Sequence, residues 1–224
     1  MARALAQAGA SLVLWARDER RLRRTAGSLQ PFGVPISTRV VDVTNASAIR
    51  RAVRALPRVE ILINNAGIWE GDPALKLKPS AWSRVFETDL TSVLLVSQAI
   101  VPSMVRAGYG KVINIASTSA FRAYPEGAAY CSAKAGLVQL TRVLAVEWGP
   151  LGVRVNAIAP GTFRTDMTAD VFRDRAWVAK RARRIPLGRF GEPDDLAGLA
   201  VFLSSSDSDY ITGHTFIIDG GASL

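Results

Sequence analysis

Lys111-Val112-Ile113-Asn114-Ile115-Ala116, then a helical pattern over residues 128–149, then Arg154-Val155-Asn156-Ala157-Ile158, is the stretch on which the fold turns. The two flanking runs are short, apolar and rich in β-branched residues, as strands buried inside a sheet are. A helix between two such strands is a crossover, and crossovers join parallel strands. The same alternation extends in both directions. Further strands read at Ser11–Trp15, Ile36–Val41, Ile61–Ile63 and Thr215–Ile218, and helices at 2–8, 18–29, 45–56, 79–107 and 193–204. Strands regularly separated by helices predict an α/β fold, a doubly wound and mostly parallel sheet with helices on both faces. Ligands of such sheets bind beyond the carboxyl ends of the strands. Asp42, Asn64 to Gly67, Ser117 and Pro160-Gly161 each follow a strand, so the binding side is expected there. No repeat, linker or low-complexity segment divides the chain, and residues 1–224 read as one domain.

Composition narrows the function classes. A hydrophobic content of 49% suits a globular core, and unbroken apolar runs such as Val93–Val96 and Val201–Leu203 are too short to span a bilayer. The opening residues read as an amphipathic helix and not as a secretory leader, so no membrane is expected and the cytoplasm is the expected compartment. The single cysteine, Cys131, allows no intrachain disulfide, and with one histidine, His214, no Cys/His metal site is expected. A net charge of +9 invites a nucleic-acid reading, but the arginines at 17–24, 50–58 and 173–189 are interleaved with acids or spread over helix faces. No nucleic-acid partner is expected. An acidic substrate or a phosphorylated cofactor uses a few of these cations more economically.

The chemistry concentrates in Tyr130-Cys131-Ser132-Ala133-Lys134 and in Ser117, thirteen residues before Tyr130. Tyr130 and Lys134 lie one helical turn apart on one face. A phenol ionises near pH ~10, so it needs a nearby cation to exchange protons at neutral pH. Lys134 can supply that charge, and Ser117 projects a hydroxyl from the end of a buried strand. A hydroxyl donor, a phenol and an ammonium together suit proton transfer at a carbonyl or alcohol carbon.

Taken in order, Asp42-Val43-Thr44, Asn64-Asn65-Ala66-Gly67, Ser117, Tyr130/Lys134, Asn156-Ala157-Ile158-Ala159-Pro160-Gly161 and Gly188-Arg189-Phe190-Gly191-Glu192-Pro193 through Asp219-Gly220-Gly221 resemble the short-chain dehydrogenase/reductase family over the whole chain. The resemblance implies a Rossmann-like NAD(P)-dependent oxidoreductase interconverting a ketone and a secondary alcohol. The nearest likenesses are 3-oxoacyl-carrier-protein reductases and gluconate 5-dehydrogenase-like reductases. It implies Tyr130 as the acid/base, Lys134 as the group that lowers its pKa and bonds the nicotinamide ribose, and Ser117 as the group that polarises the substrate carbonyl. Asp42 would meet the adenine with Val43 packing beside it. Asn64, Ala66 and Gly67 would support the central sheet and leave room for cofactor. Pro160-Gly161 would start a loop against the nicotinamide, with Thr162 or Thr165 bonding its amide or the pyrophosphate. After the first strand the chain has Trp15-Ala16-Arg17 where NAD-preferring members carry an acid. Arg17 therefore points to NADP(H) over NAD(H) through its 2′-phosphate.

The chain also departs from the pattern. Asp89, in Glu87-Thr88-Asp89-Leu90, stands where the family has an asparagine of the catalytic set. No Thr-Gly-x-x-x-Gly-x-Gly turn is present; Met1 to Leu14 resembles the helix after that turn and the second family strand. Two readings are open. Either Met1 is internal to a longer reading frame, or this is a truncated, cofactor-deficient relative with a non-catalytic interface role. In both cases the sheet interior should carry unpaired edges and the pyrophosphate site should lie open.

Residues 162–190, with Phe163, Met167, Phe172, Trp177 and many arginines, read as a lid over substrate. Trp69, Arg122, Tyr124 and Phe163 are the expected substrate-pocket residues. Carrier-protein docking is weakened by Gly108 and Leu151 and kept open by Arg106 and the 173–189 arginines. Cys131 reads as a small buried helix residue and His214 as structural. Apolar stripes on the helices at 79–107 and 128–149 imply a homotetramer or homodimer.

Overall fold

A computed structural model describes all 224 residues. Six parallel strands alternate with helices: α1 Ala2–Gln7, β1 Leu12–Ala16, α2 Glu19–Leu29, β2 Ile36–Val40, α3 Ala46–Arg54, β3 Ile61–Asn64, α4 Pro79–Phe86, α5 Ser92–Arg106, β4 Gly110–Ile115, α6 Ala128–Trp148, β5 Val153–Pro160, α7 Arg175–Ala182, α8 Ala197–Ser204 and β6 Thr215–Ile218. Local chemistry sets many boundaries. The side chains of Asp18, Asn45 and Asp174 accept the amides of Arg21, Ala48 and Trp177 at the starts of α2, α3 and α7. Pro79 opens α4, where its missing N–H costs nothing.

The strands form two sheets, β1-β2 and β3-β4-β5-β6, with no hydrogen bond between them. One edge of β1 and one edge of β3 are therefore unpaired, as the sequence reading expects for the sheet interior. The four-stranded sheet is the rigid part. Ile113 lies opposite Asn156 and Asn114 opposite Asn64, so β4 is paired on both sides. Side chains alternate across it. Val112 and Val155 face Ile100, Met104 and Leu144 from α5 and α6, whereas Ile113 and Ile158 face Leu196, Ala200 and Leu203 around α8. Helix packing joins the smaller sheet to the larger one: α3 packs on α5 and α1 on α8.

Helices α4 and α5 are continuous through a π-helical turn at Glu87–Thr91, giving one 28-residue helix, Pro79–Arg106. By length and composition it is apolar enough to cross a membrane, but half of its most apolar window is buried inside the protein, as a core helix is. The sequence reading counted only unbroken apolar runs, and Ser92, Ser97 and Gln98 interrupt them here. Between β5 and α8 the chain forms short turns and α7, a helix that the sequence reading did not contain. Phe172 and Trp177 pack on Phe190 there, and the Arg164 guanidinium lies 4.3 Å from the Phe172 ring centre.

Candidate active site

Strand β4 ends at Ile115, and two residues later Ser117 caps a short 3-10 turn, accepting the Ser119 amide at 3.1 Å. Its hydroxyl donates to Ser119 Oγ at 2.9 Å, and Ser119 Oγ lies 3.0 Å from Tyr124 Oη, so three hydroxyls form a chain. The first turn of α6 brings Tyr130 and Lys134 to the same place. Lys134 Nζ donates to the Ile115 carbonyl at 2.9 Å and sits 5.6 Å from the Tyr130 ring centre. Trp69, in the loop after β3, lies edge-on to Tyr130 at 5.3 Å and 5.8 Å from Tyr124. Two contacts hold that loop: Glu70 with Arg84 at 2.6 Å, and the Ile68 amide donating to Asp89 Oδ1 at 2.8 Å.

The electrostatics of the site centre on Tyr130. Burial is the largest influence and holds Tyr130 well above the ordinary phenol value, the Asp89 charge pushes the same way, and only the Ser117 hydroxyl opposes them. Lys134 Nζ itself lies 3.1 Å from Asp89 Oδ2, and both side chains are buried. Tyr124 is pushed up to about 12, chiefly by burial.

Arg17, Asp42, Asn64 to Gly67, Ser117 and Pro160-Gly161 stand at or just after the ends of β1, β2, β3, β4 and β5, on the carboxyl side of the two sheets. Asp42 Oδ1 accepts the Thr44 amide and hydroxyl; these bonds, aided by Arg17, hold its carboxyl below the usual range. Val43 packs against the main core cluster. The Asn64 side chain donates to Ser97 Oγ and Asn114 Oδ1, and Asn114 donates to Thr141 Oγ1. That buried network ties β3, β4, α5 and α6 together, a support role for Asn64. Ala66 is exposed beside it. A Cβ on Gly67 would stand 3.0 Å from Asp89 Oδ2, and one on Gly161 2.6 Å from Asp219 Cβ, so both positions need the bare backbone.

Three of the expected site residues make contacts within the protein. Phe163 is buried among Ile158, Leu196 and Leu203, and its ring fills the space over Gly191, so it packs as a core residue. The Arg122 guanidinium donates to the Ala222 carbonyl and ties its loop to the C-terminal segment. Thr165 Oγ1 lies 3.2 Å from Thr168 Oγ1 in a local capping turn. Thr162 is half-buried just after β5, with its carbonyl accepting the Gly191 amide. Sequence reasoning missed Ser119 and the Ile68 amide. A Ser-x-Ser spacing at a strand end is the one signal that could have flagged the former.

A phosphorylated dinucleotide fits part of this arrangement. Arg17 and Asp42 stand at the ends of β1 and β2, and Gly67 leaves open backbone beside Lys134. No glycine-rich turn for a pyrophosphate lies among residues 1–224.

Comparisons with known proteins agree with the geometry. The family model described as Enoyl-(Acyl carrier protein) reductase matches residues 1–223. The gluconate 5-dehydrogenase of Gluconobacter oxydans is 35% identical over 228 residues, covering 100% of this chain and 89% of that protein. The 3-oxoacyl-[acyl-carrier-protein] reductase of Chlamydia pneumoniae is 35% identical over 217 residues, covering 95% of this chain and 87% of that protein. The crystal structure of a gluconate 5-dehydrogenase from Burkholderia cenocepacia, in complex with NADP and tartrate, superposes with a TM-score of 0.94 at 34% identity, covering 99% of this chain and 89% of that one. The full-length match, the parallel α/β fold and the Ser117, Tyr130 and Lys134 cluster place this chain in the short-chain dehydrogenase/reductase family, as an oxidoreductase acting on CH–OH groups.

Proposed function

We propose that this chain is an NADP(H)-dependent carbonyl reductase whose substrate is a keto-sugar acid or a related polyol, with 3-oxoacyl thioesters as the neighbouring class. The observation that carries the reading is the convergence of Ser117, Tyr130 and Lys134 at the carboxyl end of β4. In the reductive direction the substrate carbonyl oxygen sits between Ser117 Oγ and Tyr130 Oη. Ser117 holds the oxygen, and Tyr130 gives it a proton as the carbonyl carbon gains hydride. The cofactor supplies that hydride; the residues here supply position and the proton. Arg17 would pair with a 2′-phosphate, Asp42 and Val43 would border the adenine, and Lys134, Gly67, Pro160, Gly161 and Thr162 would border the nicotinamide half. The gluconate-named relatives and the NADP and tartrate complex support both the cofactor and the hydroxy-acid class. The hydroxyl chain through Ser119 and Tyr124 offers further partners for a polyhydroxylated substrate.

The segment 162–190 would cover the substrate, and a second copy of the chain would pack on the outer faces of α5 and α6, where Val143 and Val146 are exposed. Steady-state rates with NADPH and NADH against keto-sugar acids and 3-oxoacyl thioesters test the reading. Tyr130→Phe is expected to lower kcat/KM by about two to four orders of magnitude. Retention of wild-type turnover by that variant would refute the assignment.

A further inference from the structure

The strongest feature that the proposed reaction leaves unused is Asp89. Its side chain is fully buried, in the π-helical turn between α4 and α5. A π-turn inserts one residue into the helix and rotates the residues after it, which is how such turns come to aim side chains at functional sites. Asp89 Oδ1 accepts the Ile68 amide, from the loop that carries Trp69 against Tyr130. Oδ2 has no hydrogen-bond partner, yet lies 3.1 Å from Lys134 Nζ, so that contact is an ion pair and not a directed bond. Gly67 lies on the remaining side, where an added Cβ would stand 3.0 Å from Oδ2 and 3.6 Å from Lys134 Nζ. A buried charge is tolerated only when paired. Burial is the largest influence and raises the Asp89 carboxyl above its ordinary value, while Lys134 and the Ile68 amide oppose the shift and favour the ionised form.

We propose that Asp89 is a positioning residue of the proton-transfer site: its buried carboxylate cancels the charge of Lys134, so Tyr130 stands as a protonated phenol poised to give a proton to a ketone. This rests on the reading of Tyr130 as the acid/base. The groups that face Tyr130 are Lys134 and Cys131 from α6, Asp89 from the π-turn, and Ser117 and Tyr124 from the chain between β4 and α6. Asp89 is the acidic residue of this set. In the reductive step the Tyr130 O–H bond breaks and a bond forms from that proton to the substrate oxygen, leaving a phenolate. In the oxidative step Tyr130 must first lose its proton, which the Asp89 charge opposes.

The test is a phenolate absorbance titration of the whole protein, without substrate or cofactor, from about pH 8 to about pH 12, with Tyr130→Phe subtracted to isolate Tyr130. Asp89→Asn keeps an acceptor for Ile68 and removes the charge. It is expected to raise the Tyr130 ionisation constant about tenfold or more, moving its midpoint to lower pH. The acid limb of the alcohol-oxidation profile should move the same way. A role limited to packing would change thermal stability and leave the ionisation where it was. An unchanged midpoint in a folded Asp89→Asn protein overturns the proposal. If that variant does not fold, Asp89→Ser carries the same expectation and the same refutation. Wild-type turnover by Tyr130→Phe would instead overturn the functional reading, because the titration does not depend on it.

Discussion

At the scale of single residues, side-chain identity states the chemistry and neighbours decide its strength. Ser117, Tyr130 and Lys134 are legible in the sequence because a strand end and a four-residue helical step place them on one side before any tertiary contact is known. What they do to one another is not legible. Lys134 reads as the cation that acidifies Tyr130, yet its nearest charged contact is Asp89, which comes from a helix forty-five positions away in the chain. Arg17 is the opposite case, since its guanidinium directly after β1 faces open solvent and the phosphate contact proposed for it rests on position alone. Arg17→Ala is therefore expected to weaken NADPH affinity about tenfold or more while leaving NADH nearly unchanged, because one charge-assisted contact to phosphate is lost. Dissociation constants for the two cofactors, measured by fluorescence titration, check this. Equal losses for both would remove Arg17 from the phosphate site.

At the scale of elements, the hydrophobic period placed five of the six strands within a residue or two of their observed ends, and β6 at Thr215–Ile218 without error. Strands buried in a parallel sheet read as mostly apolar runs, and the buried Asn64, Lys111, Asn114 and Asn156 are few enough to leave that signal legible. Helix α7 escaped for the reverse reason: Arg175–Ala182 buries no residue, so no apolar stripe marks it. The π-turn at Glu87–Thr91 escaped as well. An i to i+5 bond pattern leaves no periodic trace in a single helix and depends on what packs against it. Helix α6 shows both sides of the rule. Ala133, Leu137, Val138 and Leu144 are buried against the sheet, while Val143 and Val146 face outward with Gln139, Arg142 and Glu147 around them. Val146→Lys is expected to weaken self-association about tenfold or more, since a charge at the centre of an apolar contact is poorly tolerated. Because Val146 is 77% exposed, it should leave the melting temperature of the dissociated chain unchanged. Sedimentation equilibrium of the two proteins reads the difference, and an unaltered association constant would remove this face from the interface.

At the scale of the whole molecule, stability is unevenly distributed. In β4 five of six residues are buried, and the Asn64–Asn114–Thr141 network braces its carboxyl end, while Lys111 Nζ, held by Ser205, Ser208 and Asp209, braces the other. The β1-β2 pair has no fully buried strand residue and joins the rest through helix packing. A two-stranded sheet is marginal by itself, and local opening follows burial and hydrogen bonding. Amides of β1 and β2 are accordingly expected to exchange with solvent at least about tenfold faster than those of β4 and β5 in hydrogen-exchange mass spectrometry. Uniform protection across both sheets would contradict the two-part architecture. The sequence by itself determined the parallel α/β class and the strand order along the chain, and it supplied the candidate proton-transfer residues and the candidate ligand side. All of these come from local periodicity and from which residues terminate strands. Only the tertiary structure decided that the strands form two sheets, that Phe163 belongs to the core, that Arg122 ties down the C-terminal segment, and that Asp89 claims Lys134. Those outcomes depend on which distant groups compete for the same buried space and the same charge, and that competition is settled only when the elements pack.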